Sequence, residues 1–312
     1  MTDAGILQNR ARFALSLMPA EKLMLVLILG CALGAAAVCV AMGRVVNWPP
    51  FVTGIVATLA MVAIGAYVRS AKGAQRLALA TVGVGLFMGF TAAATLFVFA
   101  LFPLPNPLID ESLIRADHML GYDWPGFVTG LAAYPTLAWV LGYVYHSSLP
   151  QIVVLTICLA AMARETQLHR FLLTGIVTLA IAVGFWWAFP SVGPSGFQVI
   201  SEEVRLATGL YFNPEYGAYL RYLVAVGPPV ISPEVITGVV AFPSYHMVMA
   251  CMVVWYGRGT LLFIPAVVLN ALMIPAILSH GGHHLVDVFG GVVLFAVVAG
   301  AVARLIRPVA QP

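Results

Sequence analysis

Residues 22–42, KLMLVLILGCALGAAAVCVAM, open on a lysine and then carry no charge; the next charged residue is Arg44. An apolar run of roughly 18 residues or more can cross the hydrocarbon core of a bilayer as a helix, which bonds all its backbone polar groups internally. Comparable runs recur near 51–68, 77–103, 133–163, 171–190, 242–257, 260–279 and 284–304, which predicts eight spans. Composition agrees. Of 312 residues, 62% are hydrophobic and 9% charged, and mean hydropathy is +0.99, whereas soluble domains are about half apolar and about a quarter charged. The predicted fold class is all-α, a polytopic helical membrane protein of about eight transmembrane helices.

Orientation follows from Lys and Arg. One set of span ends carries Arg10, Arg12, Lys22, Arg69, Lys72, Arg76, Arg164, Arg170, Arg258, Arg304 and Arg307; the opposite set carries only Arg44, Arg115, Arg205 and Arg221. The positive-inside rule then predicts that both termini are cytoplasmic, in agreement with an even number of spans. Loops 104–124, 191–241 and 280–283 fall on the non-cytoplasmic side. They gather Asp110, Glu111, Asp117, His118, Asp123, Glu202, Glu203, Glu215, Glu234, His280 and His283. The polar N-terminus lacks the short apolar core and small-residue cleavage site of a removed signal peptide. Pro125–Tyr134 reads as a separate interfacial helix, and Trp186 with Trp187 as an aromatic belt. Cys31, Cys39, Cys158 and Cys251 lie in apolar runs without pairing or metal-ligand spacing and read as small hydrophobes. A net charge of +3 without a basic run gives no nucleic-acid partner. Gly and Ala within the spans, as in TVGVGLFMGF, would let helices approach closely. The Ala/Gly/Val-rich chain suggests a bacterial inner membrane.

Two short segments carry chemistry. Ala241-Phe-Pro-Ser-Tyr-His246 opens the sixth predicted span, and Pro243 suits a first helical position. Ser244 and His246 would then occupy a first turn, where free N–H groups and the positive helix end favour a phosphate; an ordinary helix start with an interfacial His reads equally well. Ser279-His-Gly-Gly-His283-His-Leu-Val-Asp287 opens the eighth span. A carboxylate that accepts a bond from one imidazole nitrogen leaves the other free to attack, so His283 with Asp287, four positions apart, is a candidate nucleophile pair. A zinc site from three His and the Asp, or an interfacial His cluster, fits the same residues. Tyr143, Tyr145 and His146 read as packing or interfacial residues.

Together, Pro-Ser-x-His at one outer span start and His-x-x-x-Asp at a later one resemble the type 2 phosphatidic acid phosphatase superfamily. Its inositol phosphorylceramide synthase and sphingomyelin synthase branch is the more similar, since a doubled His precedes the Asp there. Asp110-Glu-Ser-Leu-Ile-Arg-Ala-Asp117-His-Met-Leu-Gly-Tyr-Asp123-Trp124 is similar to the acidic segment of that branch, and Pro190-Ser-Val-Gly193-Pro194 to its proline-rich span exit. The resemblance covers about 105–304. It implies a catalytic membrane domain over 104–312 with a six-helix catalytic core, following N-terminal spans over 1–103 in one membrane unit.

Carried to this chain, the resemblance implies that His283 attacks phosphorus, Asp287 orients it, His246 protonates the leaving oxygen, and Ser244 binds phosphate oxygens with Tyr245 beside it. It implies no metal or other cofactor and a lipid substrate: phospholipid, sphingolipid or polyprenyl phosphate. The chain departs from the phosphatase branch. No Lys follows Lys72, Ala276 and Ile277 stand where that branch has Ser-Arg, and Tyr245 replaces the Gly of Pro-Ser-Gly-His. Arg205, Arg221 and His280 are the expected substitutes as phosphate ligands, since Arg164 and Arg170 face the other side. A weaker cationic clamp suits the single charge of a phosphodiester, which favours headgroup transfer over hydrolysis by a lipid phosphate or polyprenyl diphosphate phosphatase. A transporter, the reading of another class, would place polar residues at the midplane; a metal-stabilised structural protein would hold zinc.

Overall fold

Helix is the only regular structure in the computed structural model, which describes residues 17–210, 214–235 and 238–308. In chain order the helices are α1 (Pro19–Ala41), α2 (Trp48–Lys72), α3 (Gln75–Ala100), α4 (Asp110–Met119), α5 (Trp124–Ala132), α6 (Pro135–His146) and α7 (Ser148–Ala161). They continue with α8 (Glu165–Ala188), α9 (Glu202–Thr208), α10 (Pro214–Ala225), α11 (Tyr245–Tyr256), α12 (Phe263–Ser279) and α13 (Leu285–Leu305). The expected all-helical membrane architecture is present.

Among the described residues, five helices, α1, α2, α3, α8 and α13, are long and apolar enough to cross a bilayer, or up to six if the bent pair α5–α6 is one span. They match the first, second, third, fifth and eighth predicted spans. The fourth prediction resolves into α6 and α7, interrupted at Ser147, and α5 precedes them as a separate helix bent 119° from α6. The sixth and seventh become helices of 12 and 17 residues. The shortfall from eight has a local cause, because a count of apolar residues ignores caps. Ser244 starts α11 and Gly257 ends it, so the apolar run is longer than the helix.

Small residues set the packing of α2 on α3. A Cβ added at Gly89 would lie 2.7 Å from Thr58 Oγ1, and one at Gly85 2.9 Å from Met61 Cβ. No larger side chain fits without displacement, as close helix approach requires. One core, with Ile28, Leu86, Leu159, Phe171, Val248 and Phe295, joins α1, α3, α7, α8, α11 and α13.

The basic helix ends are bonded together at one end of the bundle. Arg69 Nη1 and Nη2 donate to Glu21 at 2.7 and 2.6 Å, linking α2 to α1. Arg164 donates to the carbonyls of Arg258 and Gly259, and Arg170 to those of Ala303 and Ile306. Arg10 and Arg12 lie outside the described residues. The loops that follow α8 and α12 emerge at the other end, roughly 36 Å away at 1.5 Å per residue of α8.

Candidate active site

The segment His280–His284 leaves α12 through Gly281 and Gly282, and Gly282 turns the chain with φ +55°. A Cβ at Gly281 would meet Ile277 O at 2.5 Å and His283 Cδ2 at 2.8 Å, so only glycine lets the loop fold this tightly. The loop delivers His283 just before α13. Its Nδ1 lies 3.0 Å from Asp287 Oδ2, and the same oxygen accepts the His284 N–H at 2.9 Å. Asp287 is fully buried and His283 is 4% exposed. A carboxylate only accepts, so Nδ1 carries the proton and the Nε2 lone pair is free, a tautomer assigned from this bonding.

His283 Nε2 points to Ser244 Oγ, 3.5 Å away. Ser244 is the N-cap of α11; its hydroxyl accepts the Met247 N–H and its own N–H bonds Asp287 O at 3.0 Å. Pro243 therefore precedes the cap and does not open the helix, a correction to the expected start. His246 occupies the first turn, its ring 6.1 Å from that of His283 and stacked on Tyr145 at 4.3 Å. The structure thus brings His283, Asp287, His246 and Ser244 together.

A cavity of about 330 Å³ opens on His246 and His283, while Ser244 and Asp287 are fully buried and form no part of its lining. His146, His246, His280 and His283 line it with Tyr145 and Tyr216, and among the described residues no Lys or Arg does. His280, expected as a phosphate ligand, faces it. Arg205 does not: it pairs with Glu202 on the surface, and Arg221 is exposed away from the cavity lining. Tyr245 turns from the polar cavity, donating to Gly175 O at 3.0 Å and lining a separate apolar cavity. His146, read as a packing residue from sequence, is part of the polar wall.

His284 has a different environment. Its Nδ1 lies 3.2 Å from Asp117 Oδ2 and its Nε2 3.4 Å from Asp110 Oδ1, all three residues buried. Burial alone would lower the imidazole, but hydrogen bonds to Asp110 and Asp117 raise its pKa to about 9. The carboxylates also close chain ends. Asp117 accepts the N–H groups of Leu285 and Val286 at the start of α13, at 3.1 and 3.0 Å. Asp110 accepts those of Val192 and Gly193, at 3.0 and 2.8 Å. The positions Asp110 and Asp117, two turns apart on α4, put both carboxylates on one helical face, a signal in the sequence that identifies this clamp. His118 and Asp123 instead pair on the surface at 3.5 Å.

The proline-rich exit docks by the same logic. Gly193 has φ +85°, and a Cβ there would clash with Gly282 O, so this loop lies directly on the histidine loop. Trp186 does not stand in an aromatic belt: it is fully buried and donates from Nε1 to Ser191 O at 3.0 Å, while Trp187 is exposed. Among the described residues, no three His, Cys, Asp or Glu side chains converge as metal ligands do.

The PAP2 superfamily model, of type 2 phosphatidic acid phosphatases, matches residues 111–301. No curated protein and no solved structure matches the chain.

Proposed function

The chain belongs to the PAP2 superfamily, and we propose that it is a membrane lipid phosphotransferase that works through a phosphohistidine on His283. Membership carries lipid phosphatase or phosphotransferase chemistry in general; the finer reading rests on the site. The observation that carries it is the buried Asp287–His283 pair, with His283 and His246 both lining the polar cavity and Ser244 Oγ 3.5 Å from His283 Nε2.

In the first step His283 Nε2 forms a bond to phosphorus as the bond from phosphorus to the leaving oxygen breaks. Asp287 stabilises the positive charge that develops on the ring, and His246 gives its proton to the leaving oxygen. In the second step a lipid hydroxyl attacks phosphorus, the N–P bond breaks, and His246 takes the hydroxyl proton. Ser244 and the amides at the start of α11 hold phosphate oxygens, with His280 and His146 on the facing wall.

Among the described residues, the cavity lining holds no Lys or Arg. Two negative charges in a partly buried site without a fixed cation are costly, so the singly charged phosphodiester of a headgroup donor fits better than a phosphomonoester. This supports the synthase-like branch. The bonded basic ends of the bundle support the orientation, with the site on the non-cytoplasmic face of a bacterial inner membrane.

The deciding experiment supplies purified protein with a phospholipid panel, with and without a ceramide or diacylglycerol acceptor, and identifies products by mass spectrometry. A new phosphodiester lipid, lost in a folded His283→Gln variant, is the expected result. Inorganic phosphate as the sole product assigns a phosphatase, and full turnover by His283→Gln removes the nucleophile.

A further inference from the structure

A second cavity of about 300 Å³ lies inside the helix bundle. Its walls come from α3, α7, α8 and α11, with Leu86, Phe90, Ala94, Ile176 and Met249 typical of the lining. Among the described residues, His246 is its one ionisable group besides the Tyr245 hydroxyl, which is already bonded to Gly175 O. His246, Gly238, Val239 and Val240 border both this cavity and the polar one, so the two chambers meet at the histidine assigned to proton transfer.

From this juxtaposition we infer that the apolar cavity holds one hydrocarbon chain of the phospho-lipid whose phosphorus sits against His283, and that α3 sets which chains fit. The inference rests on the phosphotransferase reading for the location of phosphorus. α3 spans Gln75–Ala100, wholly outside the family-matched residues 111–301, so this wall is an addition of this chain to the matched region. Tyr245, at the position where the resemblance expects Gly, forms another part of it.

The physics of selection differs from that in water. A bilayer solvates a hydrocarbon chain as well as a protein interior does, so transfer into the cavity has little hydrophobic drive. Discrimination then comes from fit: a short chain leaves wall atoms without partners, and an over-long one must displace close-packed side chains. Ala94 is 8% exposed and small, and Thr91 lies one turn before it on the same wall. A bulky residue at either position takes up space in the chamber from the α3 side.

The test uses the full-length protein in nanodiscs with the phosphodiester hexadecyl methyl phosphate bearing a diazirine at its hexadecyl chain end. Crosslinks at Phe90, Ala94 or Met249, competed by untagged hexadecyl methyl phosphate and reduced at least tenfold in Ala94→Phe, are expected. Labelling confined to outward-facing Met88, 41% exposed, or labelling unchanged in the variant, overturns the inference. If Ala94→Phe is not monodisperse, Thr91→Phe takes its place. On the donor lipid found by the panel, either variant should cut kcat/KM at least tenfold for hexadecanoyl chains and less than twofold for octanoyl chains. Equal losses for both lengths would also overturn it. Should wild-type protein turn over no phospholipid, the phosphotransferase reading fails, while the crosslink map still decides whether the chamber holds a chain.

Discussion

At His283 the decisive property is which nitrogen holds the proton, and Asp287 sets it. An Asp287→Asn variant presents an amide that donates as readily as it accepts, so the ring is free to adopt the opposite tautomer. We expect kcat to fall on the order of 10³–10⁴-fold with substrate binding nearly unchanged, the pattern of orienting carboxylates elsewhere; a kcat within tenfold of wild type would show that the ring needs no such partner. The four-residue spacing of His283 and Asp287 made the pair legible in the sequence. Their contact forms although α13 begins only at Leu285, because the cap bond from His284 N to Asp287 holds the carboxylate against the loop. Arg205 and Arg221 illustrate the opposite case. Nothing in a linear sequence says which loop charge turns inward, and Glu202, three residues before Arg205, pairs with it on the surface.

Among the elements, α4 stands out because a short, polar, ten-residue helix carries two buried carboxylates. Asp110 and Asp117 grip His284, the exit of α8 and the entry of α13, so α4 fastens the two loops that build the site. His284 binds its proton more tightly folded than unfolded, with a pKa of about 9 against 6.5. The stabilisation from this proton is therefore complete below pH 6.5 and lost as pH rises through about 9. Thermal melts between pH 6 and pH 10 should show the melting temperature falling across that window, and a His284→Gln variant should start lower and show a flatter dependence. An unchanged slope in the variant would place the titrating group elsewhere. The doubled histidine and the acidic segment were both visible in the sequence; that they belong to one cluster was not, since more than 160 positions separate them.

For the molecule as a whole, the basic ends and the loops that carry the candidate site occupy opposite ends of the bundle. The Glu21–Arg69 pair, 1% and 12% exposed, ties the N-terminal helices together far from the site. Glu21→Ala leaves the part-buried Arg69 guanidinium without its carboxylate, though still bonded to Gln75, which should cost about 3 kcal/mol of stability. We expect a clear drop in melting temperature in detergent, with kcat/KM within twofold of wild type; a large loss of turnover in the folded variant would mean that the far end controls the site. The sequence by itself determined that this is a helical membrane protein and that His246, His283 and Asp287 form its candidate chemistry, because apolar run length and short-range spacing are local quantities. Only the tertiary structure decided that an Asp–His–Asp clamp supports the histidine loop, that histidines instead of arginines wall the polar chamber, and that α3 lines an apolar chamber meeting it at His246. Those features depend on contacts between residues far apart in the chain, and packing alone selects them.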